Sequence, residues 1–306
     1  MTNLDRRTFL ATLAATVACS EQATQPEAAT PAPEPILDLH THTRHLGRTN
    51  EQLIAHETQL GVTKSVLLAG AGWLLERIGD NAECEALLAS GEHDFALFAC
   101  ADPAEPNAVE TLSTYLDRGA IGIGEEKFSV PVDSKEMRAI FDLARDRKVP
   151  ILLHFEHDMY NLGIENLPKI LEAYPDVNFI GHAQTWWGNI SADLDPTDMY
   201  PQGPVKPGGL TDRLLADYPN IYGDLAAGSG RNAMTRDEDF TRGFLERHAD
   251  KLIWGSDCPC HDGRGAGRPD KKCIGASCLD ALRRLAPSEE VLGKILHGNG
   301  TGLLVA

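Results

Sequence analysis

The sequence predicts a closed barrel of eight parallel strands alternating with helices, on three observations. Eight short apolar runs rich in β-branched residues recur between residues 36 and 257, each bounded by turn formers. Amphipathic stretches separate them at intervals of roughly thirty residues, the spacing of consecutive parallel βαβ units. Histidine and acidic residues collect where these runs end, and in a (β/α)8 barrel those ends build the active site. The alternative, a doubly wound open sheet, should carry a Gly-rich phosphate fingerprint after a strand, and none is present.

In chain order, residues 1–19 read as an export signal. Arg6 and Arg7 precede a short Ala/Leu/Thr/Val run ending at Cys19. That run falls short of the ~20 apolar residues of a membrane-spanning helix, and paired arginines before it mark twin-arginine export. Asp5 stands where that pattern usually has Ser or Thr, while Phe9 and Leu10 fit it. "TVAC" resembles a lipobox, with Thr16 in place of the usual Leu, which makes Cys19 the expected lipidation site. Residues 20–35 form a Pro/Ala/Thr/Glu tether. The expectation is an exported protein, periplasmic or held at a membrane through a lipid on Cys19.

Residues 36–306 have the composition of one globular domain. Its strands are "ILDLHTH" (36–42), "KSVLLAG" (64–70), "FALFAC" (95–100) and "AIGIGEEKF" (120–128). "VPILLHF" (149–155), "VNFIGHA" (177–183), "NIYGDL" (220–225) and "KLIWGSD" (251–257) complete the series. Between them, "SKEMRAIFDLARDRK" places Met137, Ile140, Phe141 and Ala144 in helical spacing. "EAYPDVNFIGH" and "ADYPNIYGDL" repeat one junction, in which Pro175 and Pro219 stop a helix before a strand.

A formal charge of −17 argues against nucleic acid as a partner and against a basic membrane-binding surface. Six cysteines remain besides Cys19: Cys84, Cys100, Cys258, Cys260, Cys273 and Cys278. In an oxidising compartment the last four favour a disulfide, with a structural zinc site as the alternative.

The strand ends carry the chemistry. His40 and His42 lie two apart on an extended run, so both point to one side and Thr41 away. Strand four ends at Glu125, strand five at His154, strand six at His182 and strand eight at Asp257. A lone histidine of this kind is ordinarily a hydrogen-bonded core residue. Four histidines and an aspartate at one rim point instead to a metal site.

"DLHTH", "LLHF", "IGHA" and "GSD" together resemble the amidohydrolase superfamily, in the branch that also contains metal-dependent decarboxylases. The resemblance spans the barrel from Ile36 to "KILHGNGTGLL". It implies that His40, His42, His154 and Asp257 hold one divalent metal, usually zinc, with His182 beside the substrate as base or electrophile. Family members with two metals bridge them by a strand-four carboxylate or carbamylated lysine. Alternation puts Glu125 and Lys127 on one face here and Glu126 on the other. Glu125 is then a bridge and Lys127 a group for a substrate carboxylate, or the two simply pair within the barrel mouth. A divalent ion in such a cage lowers the pKa of water from 15.7 to roughly 7, and Asp257 can pass the proton to a leaving group.

Long segments overhang the rim. "QTWWGNISADLDPTDMYPQGPVKPGG" after strand six suggests a lid, with Trp186 and Trp187 as an apolar wall or as packing beneath it. Arg231 follows strand seven, and Arg264, Arg268, Lys271 and Lys272 follow strand eight, which suggests a carboxylate-bearing small-molecule substrate. Asp262 and Asp270 offset that charge. The leading expectation is hydrolysis of an amide, lactone or ester. Decarboxylation with the same cage is the alternative, and a non-catalytic metal- or ligand-binding lipoprotein is the third.

Overall fold

A computed structural model describes residues 34–305, so the leader, Cys19 and most of the tether lie outside the described residues. All eight strands form. They are β1 (Leu37–Thr41), β2 (Lys64–Leu68), β3 (Phe95–Ala99), β4 (Gly122–Glu126), β5 (Ile151–His154), β6 (Phe179–His182), β7 (Ile221–Asp224) and β8 (Leu252–Ile253). They pair in sequence order, and every pair is parallel.

The eighth strand is shorter than the predicted 251–257. Past Ile253 the Trp254 N–H turns to the carbonyl of Ile295 at 3.0 Å. Gly255 then passes so close to β1 that an added Cβ would lie 2.8 Å from the His40 Cβ. The barrel closes through this irregular segment. Leu39 N–H donates to Trp254 O at 3.2 Å, Asp257 N–H to His40 O at 2.7 Å, and Ser256 N–H to the Asp38 carboxylate at 2.8 Å.

Alternation along the strands builds two apolar layers. Leu37, Leu39, Val66, Leu68, Phe98, Leu152, Ile180 and Ile253 form the smaller cluster, closed by Leu303 from the carboxyl-terminal helix. Leu152 and Ile180 precede His154 and His182 by two residues, so this layer fills the barrel interior beneath the histidines. The larger cluster, including Leu67, Leu97, Ile123, Leu153, Phe179 and Leu252, joins strands to helices. Among those helices, α1 (Asn50–Leu60) starts in a capping box formed by Thr49 and Gln52, and the predicted amphipathic stretch is α2 (Lys135–Arg147), capped by Ser134.

Two strands break their ladders just where they deliver chemistry. Pairing shifts between Asp38 and Thr41 of β1, and between Ile123 and Glu126 of β4. Extra residues of this kind re-aim side chains near barrel rims, and these two bulges aim His40, His42 and Glu125 inward. β5 and β6 remain regular, with His154 directly opposite His182.

Candidate active site

Three of the four imidazoles are oriented by a hydrogen bond on the outer nitrogen, and the fourth, His182, lies against a carboxylate there. His42 Nδ1 donates to the carbonyl of Leu68 at 2.8 Å. His40 Nδ1 and His182 Nδ1 lie 2.7 and 2.9 Å from the same oxygen of Asp224, at the end of β7. The remaining nitrogens turn inward, and His40 Nε2 and His42 Nε2 come to 3.1 Å of each other. With both Nδ1 protons committed outward, two lone pairs face one another across that gap. A cation between them satisfies both, so the donor set fits a metal.

Two carboxylates complete the ring. Asp257 lies 3.4 Å from His42 Nε2 through Oδ1 and 3.7 Å from His182 Nε2 through Oδ2. Its backbone is left-handed, φ 37°, where the chain turns back after β8. Glu125 divides its oxygens. Oε2 is 3.7 Å from His40 Nε2 and 3.6 Å from His42 Nε2, whereas Oε1 contacts His154 Nδ1 and lies 3.8 Å from His182 Nε2. His154 Nε2 meets Glu156 at 3.2 Å, which leaves Nδ1 directed at Glu125. Two overlapping clusters result, His40 with His42 and Asp257, and His40 with Glu125 and His182.

The charge state suits cation binding. Against the cost of burial, Lys127 and His154 hold the Glu125 carboxyl well below its usual range, and His40 does so for Asp257. Burial likewise opposes ionisation of Asp224, but His182 and His40 outweigh it. Burial keeps His154 low, helped by Lys127, and pushes His45 down to about 3 despite the nearby Asp257. Several buried carboxylates thus face imidazoles, three of which have a nitrogen free inside.

Asp224, Glu156 and His45 escaped the reading of the sequence. Asp224 ends a predicted strand at the same rim, which was its signal. His45 Nδ1 lies 3.8 Å from Asp257 Oδ1, and Glu156 sits two residues beyond His154, off the strand ends.

The rim differs from expectation. Trp186 and Trp187 do not line the mouth. They lie in a short helix, Gln184–Gly188, and are buried in the outer core, where Trp187 Nε1 donates to Asp224 O at 2.8 Å. Gly181 makes room, since an added Cβ would lie 2.4 Å from the Trp186 ring. The aromatic surface near the cage is instead Trp73 stacked on Tyr160, centroids 5.3 Å apart, with Tyr160 against the His154 ring. Lys127 Nζ lies over both, 5.7 and 5.5 Å from the ring centres, beside Glu125. Arg231 stands elsewhere, in a cavity of about 490 Å³ with Arg236, Arg268, Lys272 and Tyr200 but no cage residue. Arg268 there is paired with Asp270 at 3.2 Å. The six described cysteines are buried free thiols.

The amidohydrolase family model matches residues 73–304. No curated protein matches the chain. Solved structures share the fold at low identity. A probable 2-pyrone-4,6-dicarboxylic acid hydrolase from Acinetobacter baumannii, with citric acid bound, is 14% identical, with 89% of this chain and 99% of that one covered, TM-score 0.60. The 2,6-dihydroxybenzoate decarboxylase from Rhizobium gives 14%, 89%, 99% and 0.57. A dihydroxybenzoic acid decarboxylase from Polaromonas with bound manganese gives 14%, 89%, 96% and 0.55. The matched segment covers most of the barrel and holds every cage residue except the β1 pair, so the chain belongs to the amidohydrolase family.

Proposed function

We propose that the protein is a metal-dependent hydrolase with two divalent ions bridged by Glu125, cleaving an amide, lactone or ester of a small carboxylate-bearing cyclic or aromatic substrate. The observation that carries it is the division of the Glu125 oxygens, Oε2 toward the His40/His42 pair and Oε1 toward the His154/His182 pair. A carboxylate serving one ion has no need to face two histidine pairs. Two ions bound there would supply an acidified water and polarise the scissile carbonyl, the work of hydrolytic two-metal centres.

The protein's own groups divide the remaining tasks. His40, His42 and Asp257 would hold one ion, and His154 and His182 the other. Zinc suits this imidazole-rich set. Asp257, its carboxyl kept ionised by the surrounding imidazoles, accepts the proton of the attacking water and delivers it to the leaving group. His182, 3.7 Å from Asp257, would support the ion that stabilises the developing oxyanion. Lys127, fixed over Trp73 and Tyr160, offers a cation beside a flat apolar surface to a substrate carboxylate.

Metal content and activity test this together. Glu125→Gln should lose one metal equivalent relative to the parent and lower kcat/KM for hydrolysis at least ~100-fold. Panels of lactones, esters and amides should be run beside 2-hydroxybenzoates with CO2 detection. CO2 release without hydrolysis would replace the proposal by decarboxylation, and turnover of neither panel by a metal-loaded protein would favour a binding role.

A further inference from the structure

We infer that His56, Cys258 and Cys273 form a second, separate metal site for a thiophilic ion of the zinc type, which fastens the loop carrying Asp257 to helix α1. This inference does not depend on the hydrolase reading.

The three donors come from distant parts of the chain and meet in the core. His56 belongs to α1, Cys258 follows Asp257 in the loop after β8, and Cys273 caps the helix Ile274–Leu285. All three are buried, and their ligand atoms lie within 4.8 Å of one another. Two of the three separations are those found around a tetrahedral ion, whose fourth position these three side chains leave open. Bonds of about 2.3 Å to sulfur and about 2.0 Å to nitrogen place two sulfurs roughly 3.75 Å apart and a sulfur and nitrogen roughly 3.5 Å apart. Cys258 Sγ and Cys273 Sγ are separated by 3.7 Å, and Cys273 Sγ and His56 Nε2 by 3.4 Å.

The surroundings match what ligating groups require. His56 Nδ1 donates to Glu57 Oε1 at 2.9 Å, which leaves the Nε2 lone pair facing the sulfurs, and Ser65 Oγ holds the other oxygen of Glu57 at 2.9 Å. A carboxylate behind the outer nitrogen is the usual support of a metal-bound imidazole. Cys273 caps its helix, its sulfur receiving the Ala276 N–H at 3.4 Å. Were both cysteines to ligate as thiolates, they and Glu57 against Arg48, itself buried, would leave two negative charges for a divalent ion to cancel.

The site sits where a clamp has structural effect. Arg48 donates to Cys258 O at 2.7 Å, to Cys260 O at 3.2 Å and to His42 O at 3.0 Å, tying this loop to β1. An ion on Cys258 would hold the residue next to Asp257, at the left-handed turn that aims Asp257 inward. A Cys258–Cys273 disulfide is the rival use of the same atoms. It would draw the sulfurs to about 2.05 Å and leave buried His56 Nε2 without its partner.

Full-length protein purified under reducing conditions and loaded with cobalt(II) gives the test. A sulfur-to-cobalt charge-transfer band should appear in the near ultraviolet, disappear in Cys273→Ser, and persist in Glu125→Gln and Cys84→Ser. X-ray absorption of the zinc-loaded parent should show sulfur neighbours at about 2.3 Å, and needs no variant to fold. Chelation should expose residues 258–273 to limited proteolysis. A nitrogen- and oxygen-only spectrum overturns the inference, as does a parent mass two hydrogens short with Cys258 and Cys273 linked. Loss of the sulfur-to-cobalt band in Glu125→Gln, or its survival in Cys273→Ser, would place the sulfur ligand elsewhere and overturn the inference.

Discussion

Asp224 shows how much of the candidate site rests on single residues that hold no ion themselves. One carboxylate oxygen bonds the Nδ1 of His40 at 2.7 Å and lies 2.9 Å from that of His182, outside hydrogen-bond alignment, so one side chain neighbours two of the inward-facing rings. Asp224→Ala should weaken metal binding ~10- to 100-fold, measured by competition with a chromophoric chelator, while circular dichroism stays native. The histidines were legible because imidazole is rare enough that several at strand ends attract notice. Asp224 was not, since aspartate after a strand is ordinary turn chemistry and its role exists only through neighbours 42 and 184 residues away. His45 and Glu156 were missed for the same reason.

At the scale of elements, period and punctuation carried the strand count, because eight runs between turn formers have few other readings. They did not reveal the bulges in β1 and β4, where an extra residue flips alternation without leaving a composition signal. Alternation placed Glu126 away from Glu125. The structure buries Glu126 completely, where burial and nearby Asp102 hold its carboxyl well above the usual range. The Trp pair illustrates a different loss. A 26-residue segment after β6 looked like a lid, yet its first turn folds as a helix and packs Trp186 against Phe155, ring centres 6.2 Å apart. Trp186→Ala should therefore cost about 3–5 kcal/mol in urea unfolding, as removal of a buried aromatic does, with KM little changed in protein that remains folded. A large rise in KM at unchanged stability would return Trp186 to the substrate wall.

For the whole molecule, closure is the step on which the site depends, since its side chains come from the first strand and from beyond the last. Between β8 and β1 no strand ladder forms among the described residues, and Asp38 bridges the gap by accepting the N–H groups of His40 at 2.9 Å and Ser256 at 2.8 Å. Asp38→Ala strands two buried donors and should lower unfolding free energy by about 2–4 kcal/mol, whereas Asp38→Asn, which keeps an acceptor, should recover much of it. The (β/α)8 fold could be read from the sequence because parallel strands with short connections leave little topological freedom. The seam could not, because its contacts join residues 218 apart through a backbone that is neither strand nor helix.

The central claim is that Glu125 bridges two ions. Anomalous diffraction from crystals of the reconstituted protein, recorded at the absorption edge of the bound metal, tests it most directly. Two peaks on either side of the Glu125 carboxylate, one beside His40 and His42 and the other beside His154 and His182, are the predicted result. A single peak held by His40, His42 and Asp257, with Glu125 hydrogen-bonded to His154 and no ion between them, would contradict it.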